Sequence, residues 1–207
     1  MKKATLMVGI FAALALFVGV LGIGDAITIM GDKAAVLEES KIGSLSVGDL
    51  AKGEIDGALD EIAVQKTTRS YGFIPMGSSE TPYYLVHIND HYAVVSAGNK
   101  DVQKKINDLA DRTWDFFDEK RDSIGEGVKV EGKLIAMPEK VEGYLKDYCK
   151  ELDFDDSEYA ELVENGYVIN VVQYDSMKIV PFAAFGIAAV LIIVFVILIV
   201  KGKKNSL

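Results

Sequence analysis

The residues of this chain best equipped for chemistry lie in one short stretch, His87-Ile88-Asn89-Asp90-His91, which holds its only two histidines. Two imidazoles with Asp90 or other nearby carboxylates could hold a metal ion, as in a metal-assisted hydrolase. The spacing opposes that reading. Asn89-Asp90 sits between two aromatic and β-branched runs and reads as a two-residue turn, so the histidines are not cross-strand partners. Solvated histidines at a hairpin end are the expected outcome. A second constellation, Asp153, Asp155, Ser157, Tyr159, Glu161 and Glu164, falls at the ligand positions of an EF-hand loop. Glu158 stands where that loop requires glycine, and the stretch is better explained as a capped, acidic-faced helix.

No HExxH, GxSxG, GxGxxG or P-loop pattern is present. No catalytic residue, metal ligand or cofactor is expected. Cys149 is the single cysteine, which excludes an intrachain disulfide and reads as a buried, inert thiol. The remaining candidate is apolar. Tyr71, Phe73, Ile74, Pro75 and Met76 lie in a stretch from Arg69 to Pro82 whose glycines, serines and prolines read as a loop. Exposed there, they would dock a partner or the bilayer surface; folded back, they would join the core.

What positions these residues begins with two apolar stretches. Ile179 to Val200 carries no charge and is followed at once by Lys201, Lys203 and Lys204. A helix of that length covers ~33 Å, enough for a hydrocarbon core of ~30 Å. Ala4 to Gly24 is likewise uncharged after Lys2 and Lys3, and is longer than the usual core of a cleaved leader, so it reads as a signal anchor. Both lysine-bearing ends are expected on the cytoplasmic side by the positive-inside rule, with residues 25–178 outside. Ala15 and Gly19 in the first span, and Ala184 and Ala188 in the second, are spaced for close helix packing, within one chain or in a homo-oligomer.

Charge is sorted with the same sharpness. All 31 acidic residues fall between Asp25 and Asp175 against 17 basic ones between Lys33 and Lys178, a net of −14. Such a domain repels nucleic acid and favours cationic partners. Within it, Glu54 to Thr67 reads as a strand with Gly57 as a bulge, and Tyr83 to Ile88 with His91 to Ala97 as a hairpin. A helix starts at Asn99 to Asp101 with Val102, Ile106, Leu109, Thr113, Phe116 and Phe117 on its apolar face. Val128 to Met137 alternates as a strand, Pro138 opens a helix bearing Val141, Tyr144, Leu145, Tyr148 and Leu152 on one side, and Tyr167 to Asp175 is a last strand.

The expected fold class is α+β, two transmembrane helices flanking an extracytoplasmic domain. The element order is that of an OB-like five-stranded barrel with added helices, the alternative being a sheet with helices on one face. The layout resembles that of small uncharacterised two-pass membrane proteins of bacteria with an extracytoplasmic domain, a resemblance that implies no functional residue. The expected function is protein interaction, as an adaptor, sensor input or accessory subunit beside another membrane or envelope protein. The rival is a membrane-tethered metal-assisted hydrolase built on His87 and His91.

Overall fold

The computed structural model describes residues 2–37, 44–71, 74–89, 91–155, 157, 159–160 and 166–204, giving the backbone alone for 2, 68–71, 74–77 and 203–204. Among them the order is α1 (Lys2–Met30), β1 (Ala35–Val36), β2 (Leu50–Ile55), β3 (Gly57–Tyr71), β4 (Ile74–Ile88), β5 (His91–Ala97), α2 (Lys100–Phe117), β6 (Val128–Ala136), α3 (Glu139–Glu151), β7 (Tyr167–Val171) and α4 (Tyr174–Lys204). The chain divides into two compact units, Met1–Lys33 with Gln173–Leu207, and Ala34–Val172.

The first unit is the pair α1 and α4. Both are long and apolar enough to cross a membrane. Their outer surfaces are apolar all round, with Leu6, Phe17 and Leu21 exposed on α1 and Ile187, Val190 and Ile193 on α4, the pattern of a helix facing hydrocarbon. α1 runs past the expected end at Gly24, through Asp25 to Met30. α4 starts at Tyr174, so Tyr174 and Asp175 are helical and the preceding strand stops at Val171. Asp175 pairs with Lys178 at 2.7 Å one turn on.

The second unit is a seven-stranded sheet in the order β1-β2-β6-β7-β5-β4-β3. β1–β2 and β5–β7 are parallel and every other pair is antiparallel. Alternation along β4 splits its side chains between two cores. Tyr84, Val86 and Ile88 join Ile106 and Leu109 of α2, while Tyr83 and Leu85 join Val141, Leu145 and Cys149 of α3. With both faces covered, Tyr83 to Val86 of β4 reads as an unbroken apolar run instead of an alternating one. α2 is capped by Asn99, whose side chain accepts from Asp101 N at 2.8 Å.

β2 and β3 hold the second and last places in the sheet, yet Asp56 alone separates them. The sheet must therefore curl until the end of β2 reaches the β4–β5 turn, where Asp56 N donates to His87 O at 3.1 Å. The ladder stays open at that point, so the closed barrel expected from the element order is not formed. Other expectations also change. Glu54–Thr67 is two strands, and the register shifts lie between Ala58 and Asp60 and between Glu61 and Ala63, away from Gly57. Residues 69–71 and 74–82, expected within a loop, belong to β3 and β4. Phe117 and Tyr144, placed on buried faces by their spacing, are 54% and 58% exposed, and Phe116 is exposed as well.

Burial sets two expectations. Leu145→Ala should cost about 2–5 kcal/mol, because it leaves a cavity in a packed core, whereas Tyr144→Ala should stay within about 0.5 kcal/mol. Denaturant unfolding of the full chain in detergent reads both, and equal losses would contradict the assignment of faces. Burial also pushes the Tyr84 and Tyr167 hydroxyls up to about 12. A raised pKa keeps the folded state neutral while the unfolded chain ionises near its usual value of ~10. Stability should thus be full below pH ~10 and fall progressively toward pH ~12. Tyr84→Phe should flatten that fall in a series of unfolding midpoints.

Candidate functional site

The most distinctive surface grows out of β3 and β4. The β4–β5 ladder ends at Tyr83↔Ser96, whereas the β3–β4 ladder continues from Ala63↔Tyr83 to Tyr71↔Ile74. A two-stranded ribbon, residues 64–71 and 74–82, therefore extends beyond the sheet. Pro82 stands at the branch point, and its ring nitrogen has no hydrogen to offer a neighbouring strand. An isolated ribbon is marginal in water, so local pairs must support it. Tyr83 Oη donates to Gln65 Oε1 at 2.8 Å at its base. Lys66 Nζ lies 2.8 Å from Glu80 Oε1 across it, and each holds the other charged, raising the lysine and lowering the carboxyl. Of the expected interaction residues, Tyr71, Ile74, Pro75 and Met76 occupy the last described ribbon positions, paired as Tyr71↔Ile74 and Ser70↔Pro75. Phe73 lies outside the described residues.

The free edge of β3 is treated differently along its length. Near its start two register shifts interrupt it, and α2 supplies side chains to its backbone. Thr113 Oγ1 accepts from Ala58 N at 3.2 Å, and Trp114 Nε1 donates to Leu59 O at 2.6 Å. Trp114 thus has a backbone-capping role that no sequence signal marks. From Val64 to Thr67 the side chains are exposed and the register with β4 is unbroken.

His87 and His91 are kept apart by the hairpin. The pairs His87↔Tyr92 and Ile88↔His91 put adjacent positions on opposite faces of the sheet. His87 turns instead to Asp56, with Nδ1 2.6 Å from Oδ1. The other Asp56 oxygen accepts from Asn89 N at 2.9 Å, fastening the turn where Asn89 has φ 55°. With the carboxylate accepting, Nδ1 carries the proton and Nε2 is the basic nitrogen. Tyr92 stands edge-on to the ring at 5.4 Å. Among the described residues no three His, Cys, Asp or Glu side chains gather to hold a metal. Asp90, Glu158, Glu161 and Glu164 lie outside the described residues. Asp155 Oδ1 accepts from Ser157 N at 2.8 Å, a cap-type bond.

A polar cleft of about 900 Å³ is lined by Glu54, Lys105, Asp108, Arg112, Glu126 and Lys129 among others. Arg112 is already engaged there. Its Nη1 donates to Ile124 O at 2.6 Å and Glu126 O at 2.9 Å, pinning the segment that precedes β6. Gly125 has φ 85°, a left-handed conformation that glycine adopts freely.

In the helical pair, the interface is built by aromatic rings and a proline against glycines. A Cβ on Gly19 would lie 2.8 Å from Phe185 Cε1, and one on Gly22 2.7 Å from Pro181 Cγ. Ala184 and Ala188 are buried, while Ala15 lines a groove of about 430 Å³ with Val8, Phe11 and Ile187. Small residues allow this approach where lipid offers no hydrophobic driving force. Gly19→Leu should therefore separate α1 from α4, and Phe185→Ala in the same chain should restore the approach. Disulfide crosslinking between cysteines introduced at Gly22 and Pro181, where a Cβ on Gly22 would lie 3.5 Å from Pro181 Cβ, measures it, and equal yields in all three chains would dismiss the Gly19–Phe185 contact.

A family model described as a domain of unknown function (DUF8577) matches residues 1–201. No curated protein and no solved structure matches the chain.

Proposed function

The chain belongs to the DUF8577 family, and we propose that it is a two-pass membrane protein displaying an extracytoplasmic domain that binds a partner protein through its β3–β4 ribbon. The single observation carrying this reading is the ribbon itself. Eight β3 residues, Val64 to Tyr71, pair with β4 beyond the last β4–β5 pair, and none of Val64 to Thr67 belongs to either core. Ordering such a segment costs roughly 1–2 kcal/mol of backbone entropy per residue. A ribbon that contributes no core is best explained by a surface it must present.

Topology in this reading follows the lysines. Lys2 and Lys3 open α1, Lys201, Lys203 and Lys204 close α4, and the acidic residues all lie between, which supports cytoplasmic termini. The partner is then a membrane or envelope protein on the outer side. For the domain we favour an OB-like arrangement. Its support is the order β6-β7-β5-β4, with β2 and β3 acting as one bent strand that turns at Asp56 between β6 and β4.

The test is to shorten the ribbon. Replacing residues 66–80 by Asn-Gly joins the paired residues Gln65 and Thr81 through a two-residue turn, keeps the Tyr83–Gln65 bond and spares the described residues of both cores. The expected result is an unfolding midpoint near that of the natural chain, with crosslinked partners lost on purification from native membranes. An unchanged partner set would overturn the proposal.

A further inference from the structure

The polar cleft beside α2 owes nothing to the ribbon, and we infer that it is a binding site for a short zwitterionic peptide, one with a free ammonium and a free carboxylate. Its volume of about 900 Å³ lies within the range of pockets that enclose small ligands. One wall is α2, where Lys105, Asp108 and Arg112 follow at steps of three and four and so share a face. The other is the start of β6 with the β2 residue across from it, Glu54↔Lys129. That wall is fixed by the chain's own bonds. Arg112 Nη1 holds the carbonyls of Ile124 and Glu126, and Glu54 Oε1 accepts from Gly127 N at 3.1 Å. A Cβ at Gly127 would collide with Ile55 O, so the wall is pressed against β2 where only glycine fits.

The bonding capacity that the fold leaves over selects the ligand. Lys105, Asp108, Glu126 and Lys129 line the cleft with exposed side chains, yet none of them forms an ion pair among the described residues. Arg112 commits Nε to Asp108 O and Nη1 to the two carbonyls, and the two hydrogens of Nη2 meet no acceptor among the described residues. Three cations (Lys105, Arg112, Lys129) and three carboxylates (Glu54, Asp108, Glu126) thus line one cleft, a balance of zero in a segment of net −14. A purely anionic ligand would be repelled by the carboxylates and a purely cationic one by the ammonium groups. A molecule carrying both charges suits both sets. Spacing decides among such molecules. Opposite charges that do not pair stand more than about 4 Å apart, whereas a free amino acid carries both of its charges on one carbon. A peptide separates its ends by roughly 3.5 Å for each added residue. Its carboxylate is assigned to Arg112 Nη2 with Lys105 and Lys129, and its ammonium to Asp108 and Glu126.

The experiment titrates trialanine, N-acetyl-trialanine and trialanine amide into the full chain in lipid nanodiscs, read by isothermal titration calorimetry at neutral pH. Trialanine should bind saturably, and blocking either end should weaken it at least about tenfold, because a charge-assisted bond is lost with each. Lys105→Gln/Lys129→Gln should weaken trialanine but leave the amide, which has no carboxylate, at its own affinity. Asp108→Asn/Glu126→Gln should weaken trialanine and leave the acetylated peptide, which has no ammonium, at its own. All four side chains are exposed, so the unfolding midpoint should not move in either variant. Should a variant lower that midpoint, the comparison of the three peptides on the natural chain decides alone. No saturable binding of trialanine, equal affinity for the three peptides, or a folded variant that binds trialanine as the natural chain does would overturn the inference. So would alanine binding as tightly as trialanine, which would assign the cleft to a free amino acid.

Discussion

The crossing at Asp56 is the constraint from which the domain's form follows. One residue must carry the chain from a strand paired with β6 to a strand paired with β4. A flat sheet in this order would put those strands several positions apart, about 4.8 Å per step. Curling is the only way to bring them together. Asp56 is held at the crossing by its backbone bond to His87 O and by its two carboxylate oxygens, one on His87 Nδ1 and one on Asn89 N. Curling in turn gives the sheet a concave inner face, and α2 contributes Ile106 and Leu109 to the cluster that includes Ile55, Ala58, Val128 and Ile169.

That arrangement also changes what the histidines mean. A sequence in which two histidines flank a turn invites a metal site. In the fold they serve neighbouring strands on opposite faces, and His87 spends its Nδ1 on fastening the crossing. What the pair offers is an imidazole oriented by a carboxylate, with no group of three candidate metal ligands among the described residues. The distinctive surface lies elsewhere, on a ribbon made of residues with ordinary side chains.

Much of the fold was legible where local rules and burial agree. The hairpin of Tyr83–Ile88 and His91–Ala97, the Asn99 cap, β6 and the apolar face of α3 follow from alternation, turn chemistry and helix period. The ribbon was not legible, and the reason is physical. Gly77, Ser78, Ser79 and Pro82 punctuate it as they would a loop, and a strand that serves no core has no apolar alternation to announce it. Its order comes from pairing with residues on the other arm, which a single window cannot display. Trp114 shows the same limit in reverse: its indole was readable as an apolar neighbour, while its bond to Leu59 O depends on a strand 55 positions earlier.

The same ladder has a consequence for the order of assembly as the chain is made. The three strands β3, β4 and β5 pair with their immediate neighbours in sequence, so their ladders can close as soon as Ala97 has emerged. β2 has only the two-residue β1 as such a neighbour, paired at Ala51 and Lys52. The partners of its longer ladder, from Val128 to Lys133, are synthesised more than seventy positions later, and β7 must follow before β5 gains its second flank. Until then one edge of Leu50 to Ile55 lacks its partner, a nascent interval in which a chaperone or the translocation machinery has the clearest reason to hold it.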